Sequence, residues 1–161
     1  MSAWIKMMPV EGARGFLKEM FDKVMTPSGT VDNVMRVHSL RPQSMNGHYT
    51  LYKSVLHHQD LRLPLWFLEA IAVYTSILNR CDYSLMHHYS NFEKLQGDVE
   101  WCRALRKALE AETPEAVLQG KDLALMRYAG KLTQTPGEMV VEDVLSAKRE
   151  GACDEEILEV N

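Results

Sequence analysis

The sequence lacks the features that mark secreted, membrane-spanning and nucleic-acid-binding proteins. The N-terminal stretch MSAWIKMMPVEGARG holds no sustained apolar run that could act as a signal peptide. The longest apolar run, 64–78, is too short to cross a bilayer and contains Glu69. The formal net charge is −4, which gives no electrostatic attraction to nucleic acid or anionic lipid. With only three cysteines, we expect free thiols in a cytoplasmic protein without nucleic-acid or membrane partners.

Strand patterns are missing as well. No run alternates apolar and polar residues with β-branched side chains, and no repeat or low-complexity tract interrupts the chain. Apolar residues instead recur at helical spacing nearly throughout, with Pro- or Gly-containing breaks at 26–29, 113–114 and 135–137. The 161 residues suffice for one core. The sequence therefore predicts an all-α fold in a single domain, 1–161.

Two consecutive helices are predicted around the most unusual residues of the chain. The first begins near Pro64 and ends near Leu78, and it is apolar nearly all round, so it belongs at the centre of the fold. The second begins near Cys81 and ends near Leu95. Asn79 suits a left-handed stop between them. A break there would fold the second helix against the first.

Cys81, Ser84 and His88 form the candidate catalytic site. On an ideal helix they fall within an arc of roughly 60°. His87 points about 100° away from His88 and is a secondary candidate. Glu69 is the only charged residue of the first helix, and a carboxylate there is costly unless it is paired. The break would bring Glu69 beside the second helix, where it could orient the imidazole of His88 for proton transfer.

The position of Cys81 at a helix start favours chemistry, but simpler interpretations exist. The positive end of the helix dipole and the neighbouring Arg80 both favour a thiolate. A lone cysteine is nevertheless more often structural, and Cys102 and Cys153 lack any surrounding pattern. A metal pair at residues 87–88 is disfavoured because adjacent helical side chains diverge and no second ligand cluster exists. We therefore expect no metal.

Two further predictions concern packing. Met45, Met86 and Met126 are expected in the core, where thioethers fill irregular gaps. Asp154 is expected to be the N-cap of a last helix that stops at Asn161 after about two turns. Such a helix is marginal unless it packs. Either the chain lacks a C-terminal helix that the full protein has, or the tail docks as it stands.

The spacing of these residues resembles a family motif. Glu69, eleven residues, Cys81, two residues, Ser84, three residues and His88 are similar to the E-x11-C-x-x-C-x-x-x-H pattern of the alkylhydroperoxidase D-like, carboxymuconolactone decarboxylase superfamily. The block CDYSLMHH resembles that family's C-x-Y-C-x-x-H-H, and segments 31–57 and 123–160 resemble its peroxidase-related branch. The resemblance implies an alkylhydroperoxidase D-like (AhpD-like) helical bundle that forms homo-oligomers. We expect no cofactor.

The resemblance also implies a thiol mechanism and a defect in it. In the family, two cysteines cycle between dithiol and disulfide while a histidine and a glutamate relay protons. Cys81 would be the first cysteine, with Glu69 and His88 as the relay. The second cysteine falls on Ser84, whose hydroxyl neither reduces a peroxide nor forms a disulfide. The implied activity is an antioxidant, alkylhydroperoxidase-type reduction of a small hydroperoxide, reduced in rate or monothiol, with an external thiol as reductant.

Two alternatives stay open. The chain could be a carboxymuconolactone decarboxylase-like enzyme in which Glu69 and His88 transfer protons on a small organic acid or lactone without a cysteine. It could also be a non-catalytic helical oligomer whose inherited pocket binds a ligand or does nothing. The alkylhydroperoxidase-type interpretation requires thiol chemistry at Cys81, whereas neither alternative does, so this chemistry distinguishes it from both.

Overall fold

The computed structural model describes residues 3–161, and within that range every regular element is helical. The α-helices in chain order are α1 (Gly15–Val24), α2 (Asn33–Arg36), α3 (Pro42–Leu56), α4 (Leu65–Leu78), α5 (Asp82–Gln96), α6 (Val99–Glu110), α7 (Gly120–Gln134), α8 (Val141–Arg149) and α9 (Asp154–Val160). Short 3-10 helices occupy Val37–Leu40, Pro114–Ala116 and Pro136–Glu138. The predicted all-α fold is confirmed.

The chain divides into two units, and the first extends to His58. It contains α1, α2 and α3, which bury their apolar faces against one another. Their shared core consists of Met20, Phe21, Val24, Val31, Met35 and Met45. The first three recur at i, i+1 and i+4, which places them on one face of α1.

The second unit, Gln59–Asn161, is built around α4. This helix contacts α5, α6, α7 and α9. It is apolar nearly all round because it meets a neighbour on almost every side, as predicted for a central helix. Its buried residues are Phe67, Leu68, Glu69, Ala70, Ile71, Val73, Tyr74 and Ser76. The division of the whole chain into a single domain stays a prediction.

The reversal between α4 and α5 is a Schellman turn. The N–H of Cys81 donates to the carbonyl of Ser76 at 2.9 Å, and the N–H of Arg80 donates to the carbonyl of Ile77 at 3.0 Å. The left-handed residue is Arg80, with φ 53°, whereas Asn79 has φ −80°. The predicted break is confirmed, but the prediction that Asn79 adopts the left-handed conformation is wrong. The pair of bonds places that conformation one residue later, despite the preference of asparagine for it.

Two other local predictions are also wrong. Met86 is 68% exposed, because it lies on the outer face of α5, while Met45 and Met126 are fully buried. The N-cap of α9 is Cys153 rather than Asp154. The carboxylate of Glu156 accepts the N–H of Cys153 at 2.9 Å, so the helix begins one residue earlier than expected.

The last helix packs as it stands. α9 contacts α4, α7 and α8, and it buries Ile157 and Val160. The side chain of Asn161 accepts a hydrogen bond from the hydroxyl of Tyr128 at 3.0 Å. The tail therefore docks, as one of the two expectations proposed. No helix within residues 3–161 is both long and apolar enough to cross a membrane.

Candidate functional site

The candidate site lies along the contact between α4 and α5. The Schellman turn reverses the chain, so the two helices run antiparallel and side by side. Hydrogen bonds join them at two levels. Near the turn, Ser76 meets Ser84, and farther along, Glu69 meets His88. The two α4 residues are seven apart, so the levels are separated by about 10 Å along the axis.

Glu69 is an almost fully buried carboxylate, with 2% of the residue exposed. Its Oε2 lies 2.7 Å from Nδ1 of His88, and its Oε1 accepts from Nδ2 of Asn91 at 3.3 Å. Each oxygen thus has one donor, and both donors come from α5. This pairing answers the question raised by a charge in an apolar helix, since a buried carboxylate is tolerated when its oxygens are hydrogen-bonded.

The contact with Glu69 fixes the chemistry available to His88. A carboxylate only accepts hydrogen bonds, so Nδ1 must carry the proton that Glu69 receives. In the neutral imidazole, Nε2 is then the free base, able to take up a proton and later return it. The imidazole is 25% exposed and so remains accessible. The predicted pairing of Glu69 with His88 is present, and their catalytic role stays a prediction.

Ser84 is held by a second serine. Its Oγ lies 2.8 Å from Oγ of Ser76, which donates to the carbonyl of Ala72 at 2.6 Å. The Ser76 hydroxyl is placed to donate to two acceptors, the Ser84 Oγ and the Ala72 carbonyl, and because it carries one proton it serves one of them at a time. Ser84 retains lone pairs for a further partner.

Cys81 marks the edge of the site. It is the N-cap residue of α5, it is exposed, and its side chain makes no capping hydrogen bond. Its backbone N–H binds the carbonyl of Ser76, so one serine anchors both Cys81 and Ser84. The cysteine is seven residues from His88, about 10 Å along the helix axis. Ser84 lies between them.

The remaining sequence candidates lie outside this arrangement. His87 is exposed and packs its ring against Tyr83, with centroids 4.5 Å apart, on a different face from His88. Cys102 is fully buried, and burial raises the pKa of its thiol. Cys153 is partly buried at the start of α9. Among residues 3–161 no three His, Cys, Asp or Glu side chains are grouped as metal ligands.

Tyr89 lies on the outer face of α5 and is not a reactive group. Burial and a hydrogen bond with Glu93 raise the pKa of Tyr89 to about 12. The guanidinium of Arg106 lies over its ring, 4.8 Å from the centroid. This phenol therefore stays neutral and acts as a packing and hydrogen-bonding group rather than as a base.

Two residues of the site were not predicted from the sequence. Ser76 is seven residues after Glu69, which places both on one face of α4. Asn91 is three residues after His88, which places both on one face of α5. The same spacing rule that singled out His88 could have found them. A serine inside a helix and an asparagine near its end carry no chemical signal of their own.

The fold is that of known peroxidase-related proteins. An uncharacterized peroxidase-related protein from Silicibacter sp. TM1040 superposes with a TM-score of 0.77 and 21% identity, covering 99% of this chain and 82% of that one. An alkylhydroperoxidase AhpD core, an uncharacterized peroxidase-related protein from Ralstonia eutropha JMP134, superposes with a TM-score of 0.70 and 20% identity. It covers 89% of this chain and 71% of that one. The AhpD-like fold expected from the motif is confirmed.

Sequence relatives cover only part of the chain. Sestrin-2 from Mus musculus is 28% identical over 100 residues, and Sestrin-2 from Homo sapiens is 29% identical over 100 residues. The match includes 62% of this chain and 21% of each relative. The chain therefore spans about a fifth of the length of the curated relatives it matches. No family model matches the chain.

Proposed function

We propose that the protein is a monothiol, peroxidase-related oxidoreductase in which Cys81 reduces a small hydroperoxide and an external thiol restores it. The observation that carries the proposal is the buried pair of Glu69 and His88, two helical turns from an exposed thiol at a helix start. The peroxidase-related fold supports it. Of the three free cysteines, Cys81 is the exposed one.

The first half-reaction oxidises Cys81. Its thiol gives a proton to Nε2 of His88, through the Ser84 hydroxyl or water, since Cys81 and His88 are too far apart along the helix for direct transfer. The thiolate attacks one peroxide oxygen, an S–O bond forms, and the O–O bond breaks. Sulfur loses two electrons, and the leaving alkoxide takes the proton from His88. The products are a sulfenic acid at Cys81 and an alcohol.

The second half-reaction needs a thiol from outside the chain, because Ser84 cannot act as a resolving thiol. The external thiol attacks the sulfenic sulfur, which releases water and leaves a mixed disulfide. A second thiol molecule then releases Cys81 and becomes the outgoing disulfide. Because Cys81 is exposed, a reductant can reach it.

The test is site-specific oxidation. The protein is treated with cumene hydroperoxide in the presence of dimedone, which captures sulfenic acids, and the three cysteines are compared by mass spectrometry. We expect the adduct at Cys81 and little at Cys102, and we expect peroxide consumption with added glutathione to fall to background in Cys81→Ala. Equal peroxide consumption by the wild type and Cys81→Ala would overturn the proposal.

One observation favours a second candidate, a non-redox proton-transfer enzyme like the carboxymuconolactone decarboxylase branch. The hydrogen bonds between Glu69, His88 and Asn91 are complete without any contribution from Cys81. Small lactones and organic acids are the substrates to screen. Turnover that survives alkylation of Cys81 but is lost in His88→Gln would establish this candidate, and turnover lost on alkylation would exclude it.

A further inference from the structure

Asn91 supplies the second donor to the Glu69 carboxylate, and we propose that it is a positioning residue for the Glu69–His88 pair. The catalytic part of this inference rests on the function proposed above. The side-chain amide of Asn91 donates to the carboxylate of Glu69. Its effect passes through Glu69 to the imidazole.

The geometry sets the carboxylate between two donors from one helix. His88 and Asn91 are three residues apart on α5, so their side chains reach α4 on the same face. Nδ1 of His88 lies 2.7 Å from Oε2, and Nδ2 of Asn91 lies 3.3 Å from Oε1. The carboxylate is 2% exposed, so solvent has almost no access to replace either donor.

The chemistry of the acceptor determines how the amide is oriented. An ionised carboxylate has no proton to give, so the NH2 end of Asn91 faces Oε1 and the amide oxygen points elsewhere. The same argument places the proton of His88 on Nδ1. Both assignments follow from an ionised acceptor, since an ionised carboxylate can only accept hydrogen bonds.

Hydrogen bonds to both oxygens of the Glu69 carboxylate fix its orientation, which a single hydrogen bond would not. A carboxylate held only by His88 could rotate about its last side-chain bond and leave Oε1 buried without a partner, which is costly. With Asn91 in place, the carboxylate plane is fixed and Oε2 stays aimed at Nδ1. His88 is then held in the tautomer that leaves Nε2 free. Asn91 therefore holds the carboxylate in the orientation that keeps the proton of His88 on Nδ1.

The experiment compares three substitutions at residue 91. Asn91→Leu removes the donor at similar volume, Asn91→Ala removes the donor without adding an apolar branch, and Asn91→Gln keeps the amide. Ser90→Ala, on the exposed side of α5, is the matched control. The first measurement is the pair of His88 ring-nitrogen chemical shifts by NMR, which report the tautomer. The second is the rate of Cys81 oxidation by cumene hydroperoxide.

In the wild type and Ser90→Ala we expect the single tautomer protonated at Nδ1. In Asn91→Leu and Asn91→Ala we expect that single tautomer to be lost and Cys81 oxidation to slow by about tenfold. We expect Asn91→Gln to recover part of both. The Ala variant places no apolar branch against the carboxylate, so it remains informative if the Leu variant does not fold.

The outcomes separate this inference from the proposed function. Unchanged His88 shifts in folded Asn91→Ala would overturn the positioning role, whatever the activity. Changed shifts with an unchanged oxidation rate would overturn its link to thiol chemistry. Changed shifts in a protein whose wild type does not oxidise Cys81 would support the positioning role while the function proposed above fails.

Discussion

Nδ1 of His88 lies 2.7 Å from Oε2 of Glu69, which joins α5 to α4 at a buried carboxylate. Met86 and His87, the two residues that precede His88, are both exposed. Two adjacent histidines therefore have different environments, and only His88 contacts the carboxylate. His87 therefore serves as an internal control for the role of the His88 imidazole.

Replacing the two histidines one at a time should separate catalysis from surface effects. His88→Gln removes the base while keeping a polar side chain, and we expect Cys81 oxidation to slow by about a hundredfold, the usual scale for losing a general acid–base group. His87→Gln should leave the rate close to that of the wild type. Stopped-flow measurement of peroxide consumption checks both. Similar losses in the two variants would argue against the Glu69–His88 relay.

Restoring the family's second cysteine should convert the site to a dithiol. Residues 81 and 84 are three apart at the start of α5, which gives a Cα separation of about 5 Å, within the range that disulfides accept. We expect Ser84→Cys to lose two hydrogen atoms on peroxide treatment and to turn over faster than the wild type. Mass spectrometry of the 81–84 peptide measures the first, and a glutathione-coupled assay measures the second.

The matched control is Ser90→Cys, which adds an exposed thiol to the same helix. It should gain no disulfide with Cys81.

The Ser84→Cys variant could be crowded by Ser76. Sulfur is larger than oxygen, and the Ser84 Oγ already lies 2.8 Å from Oγ of Ser76. Adding Ser76→Ala to the Ser84→Cys variant relieves that contact. A dithiol that forms no disulfide even then would show that Cys81 faces away from residue 84.

The sequence was sufficient for the parts of this site that depend on spacing. The apolar run with one carboxylate predicted both a central helix and a partner for Glu69, because a lone buried charge is costly. The residue that takes the left-handed conformation was not predictable, since the choice between Asn79 and Arg80 depends on which carbonyls the turn bonds. Met86 was misplaced because it lies on the outer face of α5, where it is 68% exposed. Asn91 shares the helix face of His88, but its role as a donor was not predicted because an asparagine near a helix end carries no chemical signal of its own.

An ion pair at the start of α9 should make stability depend on pH. Nζ of Lys121 lies 2.6 Å from Oε1 of Glu156. This hydrogen bond lowers the pKa of Glu156 below its ordinary value of 4.5 and raises the pKa of Lys121 above 10.5. The contribution to the free energy of unfolding is therefore complete between about pH 4.5 and pH 10.5. It is lost as the pH falls through the folded-state pKa of Glu156, or rises through that of Lys121.

Glu156→Gln tests this dependence. The amide can still accept the N–H of Cys153, so the cap survives while the charge is removed. We expect a loss of about 1 kcal/mol at pH 7, because Lys121 is partly solvated, and a smaller loss below pH 4. Urea unfolding at several pH values measures it. Glu155→Gln, whose ion pair with Arg62 is exposed on both sides, should change stability little. A deficit for Glu156→Gln that stays constant from pH 3 to 7 would contradict the assignment.

Gly130 in α7 is required for its small size, and this can be measured against a second helical glycine. A Cβ at residue 130 would lie 2.7 Å from Cε1 of Tyr74, whose buried ring packs on the α7 backbone. A Cβ at Gly47, inside α3, would meet nothing within 4 Å. Alanine normally stabilises a helix interior over glycine by about 0.5–1 kcal/mol, so the two sites should respond with opposite signs.

We expect Gly47→Ala to stabilise its unit by that amount and Gly130→Ala to destabilise by about 1–3 kcal/mol, the usual cost of overpacking. Tyr74→Leu should cost stability alone but remove most of the additional cost of Gly130→Ala, since the clashing ring is then absent. Thermal and urea unfolding of the four variants measures the coupling. If the effects of Tyr74→Leu and Gly130→Ala simply add, the ring is not what excludes a side chain at residue 130. The glycine would then be needed for a reason that lies elsewhere in α7.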